Sequence, residues 1–292
     1  MELTKLLQDA VNYIEAHLNE NISYEDVARQ VYMSGYSFHR TFSLTAGMTV
    51  CEYVRSRRLS LAASELQTTD ISVIDAALKY GYETPESFSK AFSRFHGVTP
   101  KQAKQKGCQL RMFSPLAIKI KLEGGTMNYR MEKRPAEKFL MYAQHFPNEI
   151  VGDGYDSTLS DYWDSCIENG VFKQLERVRT TEKWEVYGIC TPSEENSPMF
   201  EYGIGVAIDD NTDGEILDKL CAEGFRILET APSECVVLKC FGEDGHCIND
   251  MWSRFYREFV PQTGYRQTEA PDFEFYREGG DCFCELWIPV KK

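Results

Sequence analysis

The sequence lacks long apolar runs, and no hydrophobic stretch approaches the roughly 20 residues that a membrane-spanning helix needs. Its first residues continue into an amphipathic pattern without the apolar core of a signal peptide, so a cytoplasmic protein with no membrane contact is expected. The ten cysteines are scattered, without any Cys-x-x-Cys pair. This spacing favours reduced, mostly buried thiols over disulfides or metal ligands.

Signatures of catalysis and of cofactor binding are also missing. The five histidines are isolated, and no Ser-His-Asp set, metal-ligand cluster or phosphate-binding loop is present. The sequence therefore predicts no catalytic residues, no metal and no cofactor. With 42% hydrophobic and 13% aromatic residues, the chain has enough apolar material for buried cores. Its length of 292 residues suggests two domains.

Charge is distributed unevenly along the chain. Residues 1–107 carry 12 basic and 12 acidic side chains, so the whole net charge of −13 falls in the remainder. Residues 87–122 contain eight lysines or arginines and no carboxylate. Such a block is typical of a phosphate-binding surface, although a solvated charged face has the same composition.

An internal repeat organises the N-terminal part. Segment 22–28 (Ile-Ser-x-x-Asp-Val-Ala) returns at 71–77 as Ile-Ser-x-x-Asp-Ala-Ala, and segment 38–42 (Phe-x-Arg-x-Phe) returns at 88–92 as Phe-x-Lys-x-Phe. Each copy has the pattern of a helix, a short turn and a second helix, and a long helix of about 49–67 joins the copies. The sequence thus predicts two helix-turn-helix units.

The second helix of each predicted unit carries the candidate DNA contacts. In this motif the second helix lies in the major groove, where arginine and lysine can donate to guanine and glutamate can accept from cytosine. The phenylalanines must face the core, which leaves polar residues outward. The candidate base contacts are Tyr36, Ser37, His39 and Arg40 on the first helix and Glu86, Ser87, Ser89 and Lys90 on the second. The candidate phosphate contacts are Arg55, Arg57, Arg58, Lys101 and Lys104.

Residues of about 8–106 resemble the DNA-binding domain of the AraC/XylS family. The resemblance is strongest in Gly-Tyr at 81–82 and in Phe-Ser-Lys-Ala-Phe-Ser-Arg-Phe-His-Gly-Val-Thr-Pro at 88–100. It implies a transcription regulator, commonly an activator, whose two helix-turn-helix units bind successive segments of double-stranded promoter DNA and which works with RNA polymerase. Pro85 departs from the family pattern beside the usual polar contact positions.

From about residue 126 the pattern changes to alternating strands. Two strands, a helix and two strands follow one another twice, which predicts a pseudo-twofold α+β domain of two sheet halves with one helix each. The predicted fold is therefore multidomain, with an all-α double helix-turn-helix DNA-binding domain at 1–107, a linker at 108–125 and an α+β domain at 126–292. The candidate strands are 127–134, 137–146, 184–191, 199–208, 225–230, 234–242, 273–278 and 282–290, and the candidate helices are 159–169 and 248–259.

The last predicted strand has an unusual face. Phe283, Glu285 and Trp287 share it, so that a carboxylate lies between two large aromatic side chains. If this face is buried, Glu285 needs a partner, because an unpaired buried carboxylate is costly. A cation or a hydrogen-bond donor on a ligand would serve, with cation–π attraction from the rings. A protein arginine or solvent would serve as well.

Residues of about 126–292 resemble the GyrI-like effector-binding domain. The resemblance implies a cleft between two repeats that holds a small lipophilic or cationic molecule, with Glu285 in that cleft. The side chains of Tyr187, Tyr202, Trp163 and Trp252 are candidate walls of the cleft or ordinary core residues. The resembling segments are 200–205 (Phe-Glu-Tyr-Gly-Ile-Gly), 252–259, 271–276 (Pro-Asp-Phe-Glu-Phe-Tyr) and 285–290 (Glu-Leu-Trp-Ile-Pro-Val).

Three functions are open at this stage. The first, which the sequence favours, is a non-enzymatic DNA-binding transcription regulator controlled by a small molecule in the C-terminal domain. In the second, that domain is a hydrolase in which Glu285 and a nearby tyrosine supply a general base. In the third, it docks another protein, and its acidic charge suits a basic partner.

Overall fold

The computed structural model describes residues 3–105, 107–118, 126–147, 158–191 and 199–292. These residues form two compact units. The first unit comprises Met1–Met33 and Ala46–Lys119, and the second comprises Ser34–Thr45 and Ile120–Lys292. One helix of the N-terminal part thus belongs to the second unit. The predicted linker, 108–125, lies outside the described residues from 119 onwards.

The N-terminal part is helical, as the repeat predicts. Threonine or serine precedes six of its helices, and each hydroxyl accepts a hydrogen bond from a backbone N–H three residues later, which fixes where the helix begins. The helices are α1 (Leu3–Ala16), α2 (Tyr24–Gln30), α3 (Gly35–Ala46), α4 (Val50–Thr68), α5 (Val73–Lys79), α6 (Pro85–His96) and α7 (Pro100–Ala103). The six capping residues are Ser23, Ser34, Thr49, Ser72, Thr84 and Thr99.

The core beneath α6 follows the predicted apolar spacing. Phe88 and Phe92 are fully buried, one helical turn apart. Ala76 and Ala77 of α5 are buried against the same cluster, and small side chains of this kind allow a close approach of two helices. The spacing therefore fixes which face of α6 is turned inward.

The turns of the two helix-turn-helix copies differ. Both contain a residue in the left-handed conformation, Tyr32 at φ 57° in the first copy and Gly81 at φ 78° in the second. Glycine adopts this conformation freely, whereas a side chain makes it costly. Tyr32 is 91% exposed, so no packing offsets that cost.

The predicted linker begins as part of the first unit. Residues 107–118 have no helix or strand, but they lie along α4. The backbone N–H of Phe113 donates to Ser60 Oγ over 2.8 Å, and that of Leu116 donates to the hydroxyl of Tyr53 over 3.3 Å. Side chains of α4 thus satisfy backbone groups that water would otherwise bind.

The remainder of the second unit is one antiparallel sheet with helices. In the described residues its strand order is β1-β6-β9-β8-β3-β4-β2-β5, and β7 pairs with β9. The order is symmetric about the β8–β3 pair, because β2 lies between β4 and β5 as β6 lies between β9 and β1. This confirms the pseudo-twofold arrangement, with the two halves fused into one sheet. The strands are β1 (Arg130–Arg134), β2 (Glu137–Pro147), β3 (Glu185–Thr191), β4 (Met199–Ile208), β5 (Phe225–Thr230), β6 (Ser233–Cys240), β7 (Arg266–Gln267), β8 (Asp272–Arg277) and β9 (Cys284–Lys291).

The edge strands interlock the two halves. Only two residues separate β1 from β2, yet β1 pairs with β6 in the other half of the sheet. Likewise β5 is followed closely by β6 but pairs with β2. Each half is therefore completed by a strand that the chain delivers from the other half, and β1 brings its arginines near β9.

Helices accompany both halves of the sheet. The helix α10 was not predicted, although its Ile216, Leu217 and Leu220 stand at helical spacing and pack against the core of the sheet. No helix in the described part of the chain has the length and apolar character to cross a bilayer. Within the same part, no group of three His, Cys, Asp or Glu side chains is placed to bind a metal. The helices are α8 (Thr158–Glu168), α9 (Val171–Glu176), α10 (Gly214–Ala222), α11 (His246–Arg254) and α12 (Val260–Thr263), and a π-helical turn (Phe255–Phe259) joins α11 to α12.

Candidate functional site

The second recognition helix, α6, presents its predicted polar residues to solvent. Glu86, Ser87 and Lys90 are exposed, and Ser89 is half-buried. Thr84 caps the helix by accepting a hydrogen bond from the backbone N–H of Ser87, so the side chains at its start have a fixed direction. Their contact with DNA stays a prediction.

The first recognition helix, α3, differs from this expectation. Ser37 is 8% exposed and His39 is 4% exposed, so their predicted outward placement is wrong. Arg40 is half-buried, and the side chain of Tyr36 lies outside the described residues. The reason is tertiary, since α3 is covered on its polar side as well as on the side of Phe38.

The polar side of α3 contacts the sheet domain within the second unit. The Arg40 guanidinium carbon lies 3.6 Å from the ring centre of Trp252, and its Nη1 lies 3.5 Å from Asp272 Oδ2. At the other end of α3, Arg257 Nη2 donates to the carbonyl oxygen of Leu44 over 2.7 Å. A cation at this position also complements the negative end of the helix dipole.

Asp272 is a buried acid at the first residue of β8. It is 4% exposed, and burial raises its pKa to about 6, although the charge of Arg40 acts against that rise. Gln267 Nε2 donates to its Oδ2 over 3.3 Å. Ionisation of the carboxyl group is therefore favoured by its two hydrogen-bond donors, and Arg40 is the one that carries a positive charge.

Arg57 is one predicted phosphate contact that the structure contradicts. It is 6% exposed, and its Nε and Nη2 each donate to the carboxylate of Glu15 over 2.8 Å. The prediction was wrong because position 57 lies on the inner face of α4, where this bidentate pair fixes α1 against α4.

The other phosphate candidates differ in exposure. Arg55, Lys101 and Lys104 are exposed, and their contact with phosphates stays a prediction. Arg58 is half-buried, and its Nε donates to the carbonyl oxygen of Leu18 over 2.7 Å. Its guanidinium is therefore used within the first unit.

Glu285 has a protein arginine as its partner, which is one of the alternatives that the sequence left open. Arg130 of β1 binds it bidentately, with Nη1 3.0 Å from Oε1 and Nη2 2.6 Å from Oε2. Burial opposes ionisation of Glu285, but the hydrogen bonds and charge of Arg130 outweigh it and lower the pKa. Trp287 Nε1 adds a hydrogen bond of 3.3 Å.

A second arginine of β1 lies among the aromatic side chains of the same face. The guanidinium carbon of Arg134 is 3.8 Å from the ring centre of Phe273, 5.3 Å from that of Tyr187 and 5.4 Å from that of Trp287. Two of the aromatic side chains predicted to line a ligand site, Tyr187 and Trp287, thus lie beside an arginine of the protein. The Phe283 ring instead packs edge-on against Tyr276, with centroids 5.8 Å apart. The predicted face shared with Glu285 is wrong for Phe283, because β9 begins only at Cys284.

A different carboxylate, Glu274 of β8, lies in a set of polar aromatic side chains. The hydroxyl of Tyr202 donates to its Oε2 over 2.6 Å and that of Tyr276 over 3.0 Å, and Trp163 Nε1 donates to Tyr202 over 3.0 Å. Glu274 is half-buried, and the described residues give it no ion pair. Burial raises its pKa although both hydroxyls stabilise the anion.

Gly188 of β3 makes room for this arrangement. A Cβ atom at that position would lie 2.2 Å from the hydroxyl oxygen of Tyr202 and 2.8 Å from Glu274 Oε2. Sequence reasoning missed Glu274, although a signal was present. Residues 272–276 alternate acidic with aromatic side chains, as residues 283–287 do in part.

Comparison with known proteins agrees with the two-part architecture. The helix-turn-helix domain family matches residues 27–106, and the integron-associated effector binding protein family matches residues 132–290. A solved structure of SAV2435 bound to tetraphenylphosphonium covers 56% of this chain and 94% of that one, with 19% identity and a TM-score of 0.46.

Two curated relatives match the N-terminal part. The HTH-type transcriptional activator AarP of Providencia stuartii is 36% identical over 97 residues, which are 33% of this chain and 72% of AarP. The uncharacterized HTH-type transcriptional regulator YbfP of Bacillus subtilis is 41% identical over 100 residues, which are 34% of each chain. The match thus spans about a third of YbfP. The family match at residues 27–106 and the identity with AarP show that the chain belongs to the AraC-type helix-turn-helix transcription regulators. The match at residues 132–290 shows that its C-terminal half belongs to the integron-associated effector binding protein family.

Proposed function

We propose that the chain is a transcription regulator without enzymatic activity, which binds promoter DNA through its helix-turn-helix units and an organic cation at Glu274. The observation that carries the proposal is the pairing of an exposed, polar recognition helix with a carboxylate that has aromatic partners but no ion pair in the described residues. AarP is named a transcriptional activator, and activation through RNA polymerase is part of the proposal.

The DNA-binding part of the proposal rests on α6. Its exposed Glu86 is a hydrogen-bond acceptor and its exposed Lys90 is a donor, and such residues in the first half of a recognition helix can distinguish base pairs. Exposed Lys101 and Arg55 supply positive charge for the phosphate backbone. Because all four side chains are exposed, each can be substituted singly without disturbing the core.

The effector part rests on the contrast between two carboxylates. Glu285 already has a bidentate arginine, so a cationic ligand there would first have to displace Arg130. Glu274 accepts hydrogen bonds from two neutral hydroxyls, and Arg40 acts on its charge without forming an ion pair, so a cation could pair with its carboxylate without displacing an arginine. Aromatic rings around such a carboxylate add cation–π attraction and exclude water.

Titration calorimetry with tetraphenylphosphonium tests the effector site, because this lipophilic cation has charge but no hydrogen-bond donor. We expect Glu274→Gln to weaken its binding about tenfold or more, since a partly desolvated charge contact is lost. The matched variant Glu285→Gln should leave binding within about threefold, a free-energy change under 1 kcal/mol. The neutral triphenylphosphine oxide should bind both variants alike. If only Glu285→Gln lost binding, the ligand would be assigned to Glu285 and not to Glu274.

Selection of duplexes from a random-sequence pool tests the DNA-binding function. The wild-type chain should enrich a defined sequence, and Glu86→Ala should relax the preference at one or two positions of it while total affinity changes little. An unenriched pool after repeated rounds at low salt would contradict the proposed function.

A further inference from the structure

The most unexpected feature of the molecule is the engagement of α3. Its Arg40 is the counterpart of Lys90 in the repeat, and therefore the residue expected to donate to guanine in the first unit. In the structure this guanidinium stacks on Trp252 and lies 3.5 Å from Asp272, with only 20% of its side chain exposed. The group that would meet a base is thus already bound.

The receiving surface is built for a guanidinium. Trp252 is 1% exposed with Arg40 stacked on it, and stacking on tryptophan is the preferred geometry for an arginine cation. Asp272 is buried beside it and needs positive charge to remain ionised. If Arg40 moves away, the buried carboxylate loses the positive charge that stabilises it. Separating the two groups therefore costs free energy.

A second, independent contact retains the end of the helix. Arg257 of the π-helical turn donates to the carbonyl oxygens of Leu44 and Thr45 over 2.7 and 3.2 Å. These are among the last carbonyls of α3, which have no partner within the helix. The helix is thus bound at its polar middle and at its C-terminal end.

We propose that these contacts form an autoinhibitory latch, in which Arg40 bound to Asp272 and Trp252, and Arg257 bound to the end of α3, withhold the first recognition helix from DNA. Because Asp272 and Glu274 lie on the same face of β8, the charges of Arg40 and of a bound effector cation act on the same pair of carboxylates. A cation at Glu274 weakens the hold on Arg40 and favours release of α3. The effector step rests on the proposed function, whereas the latch itself rests on the contacts of α3.

Hydrogen–deuterium exchange on the full chain tests the latch directly. Asp272→Asn and Arg257→Gln should each raise the rate of amide exchange across α3 by about fivefold or more, which is the lower limit of the coupling usually found between sites. The exchange rate in α6 should not change. Asp210→Asn and Arg177→Gln are matched controls that remove the same charges from exposed positions of the same unit. Arg257 is itself exposed, so its variant keeps the test valid if Asp272→Asn fails to fold. Exchange in α3 equal to that of the controls would overturn the latch.

DNA affinity gives the second measurement, made on a duplex that the wild-type chain selects. Arg257→Gln should bind it about fivefold more tightly, although the lost positive charge alone would weaken binding. Tetraphenylphosphonium should tighten wild-type binding and have a smaller further effect on Arg257→Gln, in which one of the two contacts of α3 is already lost. Wild-type affinity in both latch variants would overturn the inference and leave the regulator intact. Failure of wild type and variants alike to select any duplex would instead overturn the proposed function.

Discussion

The two recognition helices are copies of one element, yet their outer faces have different surroundings. In both, paired phenylalanines four residues apart are fully buried, Phe38 and Phe42 in α3 and Phe88 and Phe92 in α6. The outer face of α6 is exposed, whereas that of α3 contacts Asp272 and Arg257 within the second unit, to which α3 belongs. The comparison shows that an apolar repeat determines the inner face of a helix but leaves open what covers its outer face.

Alanine substitutions at the two equivalent basic positions should separate the helices most clearly. We expect Lys90→Ala to weaken binding of the selected duplex by about 1–3 kcal/mol, because a contact to a base edge is lost. Arg40→Ala should cost less, because the same change removes the contacts that withhold α3. Fluorescence anisotropy at one fixed salt concentration measures both, with Lys79→Ala as a control for lost charge. Equal losses at both positions would mean that α3 is as available to DNA as α6.

The acidity of Asp272 gives a second way to separate the helices. Its pKa is raised to about 6 by burial, and Arg40 holds that pKa below the value it would have without the guanidinium. Burial and Arg40 act on this pKa in opposite directions, so the substitution Arg40→Gln, which removes the charge but keeps most of the side chain, should raise the pKa of Asp272 further. The charge of Glu274 on the same strand also acts to raise it.

Titration of the Asp272 carboxyl group followed by NMR checks this expectation. The midpoint should move to higher pH in Arg40→Gln, because the guanidinium that opposes the effect of burial is lost. The equivalent change in α6, Lys90→Gln, should leave the midpoint as it is in wild type. An unchanged midpoint in Arg40→Gln would show that Arg40 does not stabilise this carboxylate.

The smallest expected effect concerns the turns before the two helices. Tyr32→Gly should stabilise the first unit by about 0.5–1 kcal/mol, because an exposed tyrosine in the left-handed conformation is replaced by a residue that adopts it freely. Gly81→Ala, the matched change in the second copy, should be destabilising, since its Cβ would lie 2.7 Å from Arg58 Nη1. Urea denaturation compares the two variants with wild type. Destabilisation by Tyr32→Gly would show that the tyrosine has a contact that its exposure conceals.

Much of the fold could be predicted, because its signals are local. Capping hydroxyls such as Ser72 and Thr84, and the alternation in strands such as β9, depend on neighbouring residues only. The helix α10 was missed although the spacing of Ile216, Leu217 and Leu220 indicates it. The course of the extended segment 107–118 could not be predicted, because its hydrogen bonds come from distant positions on α4.

The candidate sites were predicted less completely, for a related reason. The types of residue were informative, since carboxylates beside aromatic side chains occur both at Glu285 and at Glu274. Which of them has an arginine depends on the pairing of β1 with β6, which places Arg130 near β9. That pairing joins residues about a hundred positions apart, and no local pattern specifies it.

The amino-acid sequence by itself determined two helix-turn-helix copies, the inner faces of their helices and a pseudo-twofold sheet, because periodicity and capping act over a few residues. Only the tertiary structure decided that Arg57 binds Glu15, that Glu285 has a protein partner and that α3 is engaged through Arg40. Charged groups take whichever opposite charge the fold brings within reach, and that distance is a property of the packed chain.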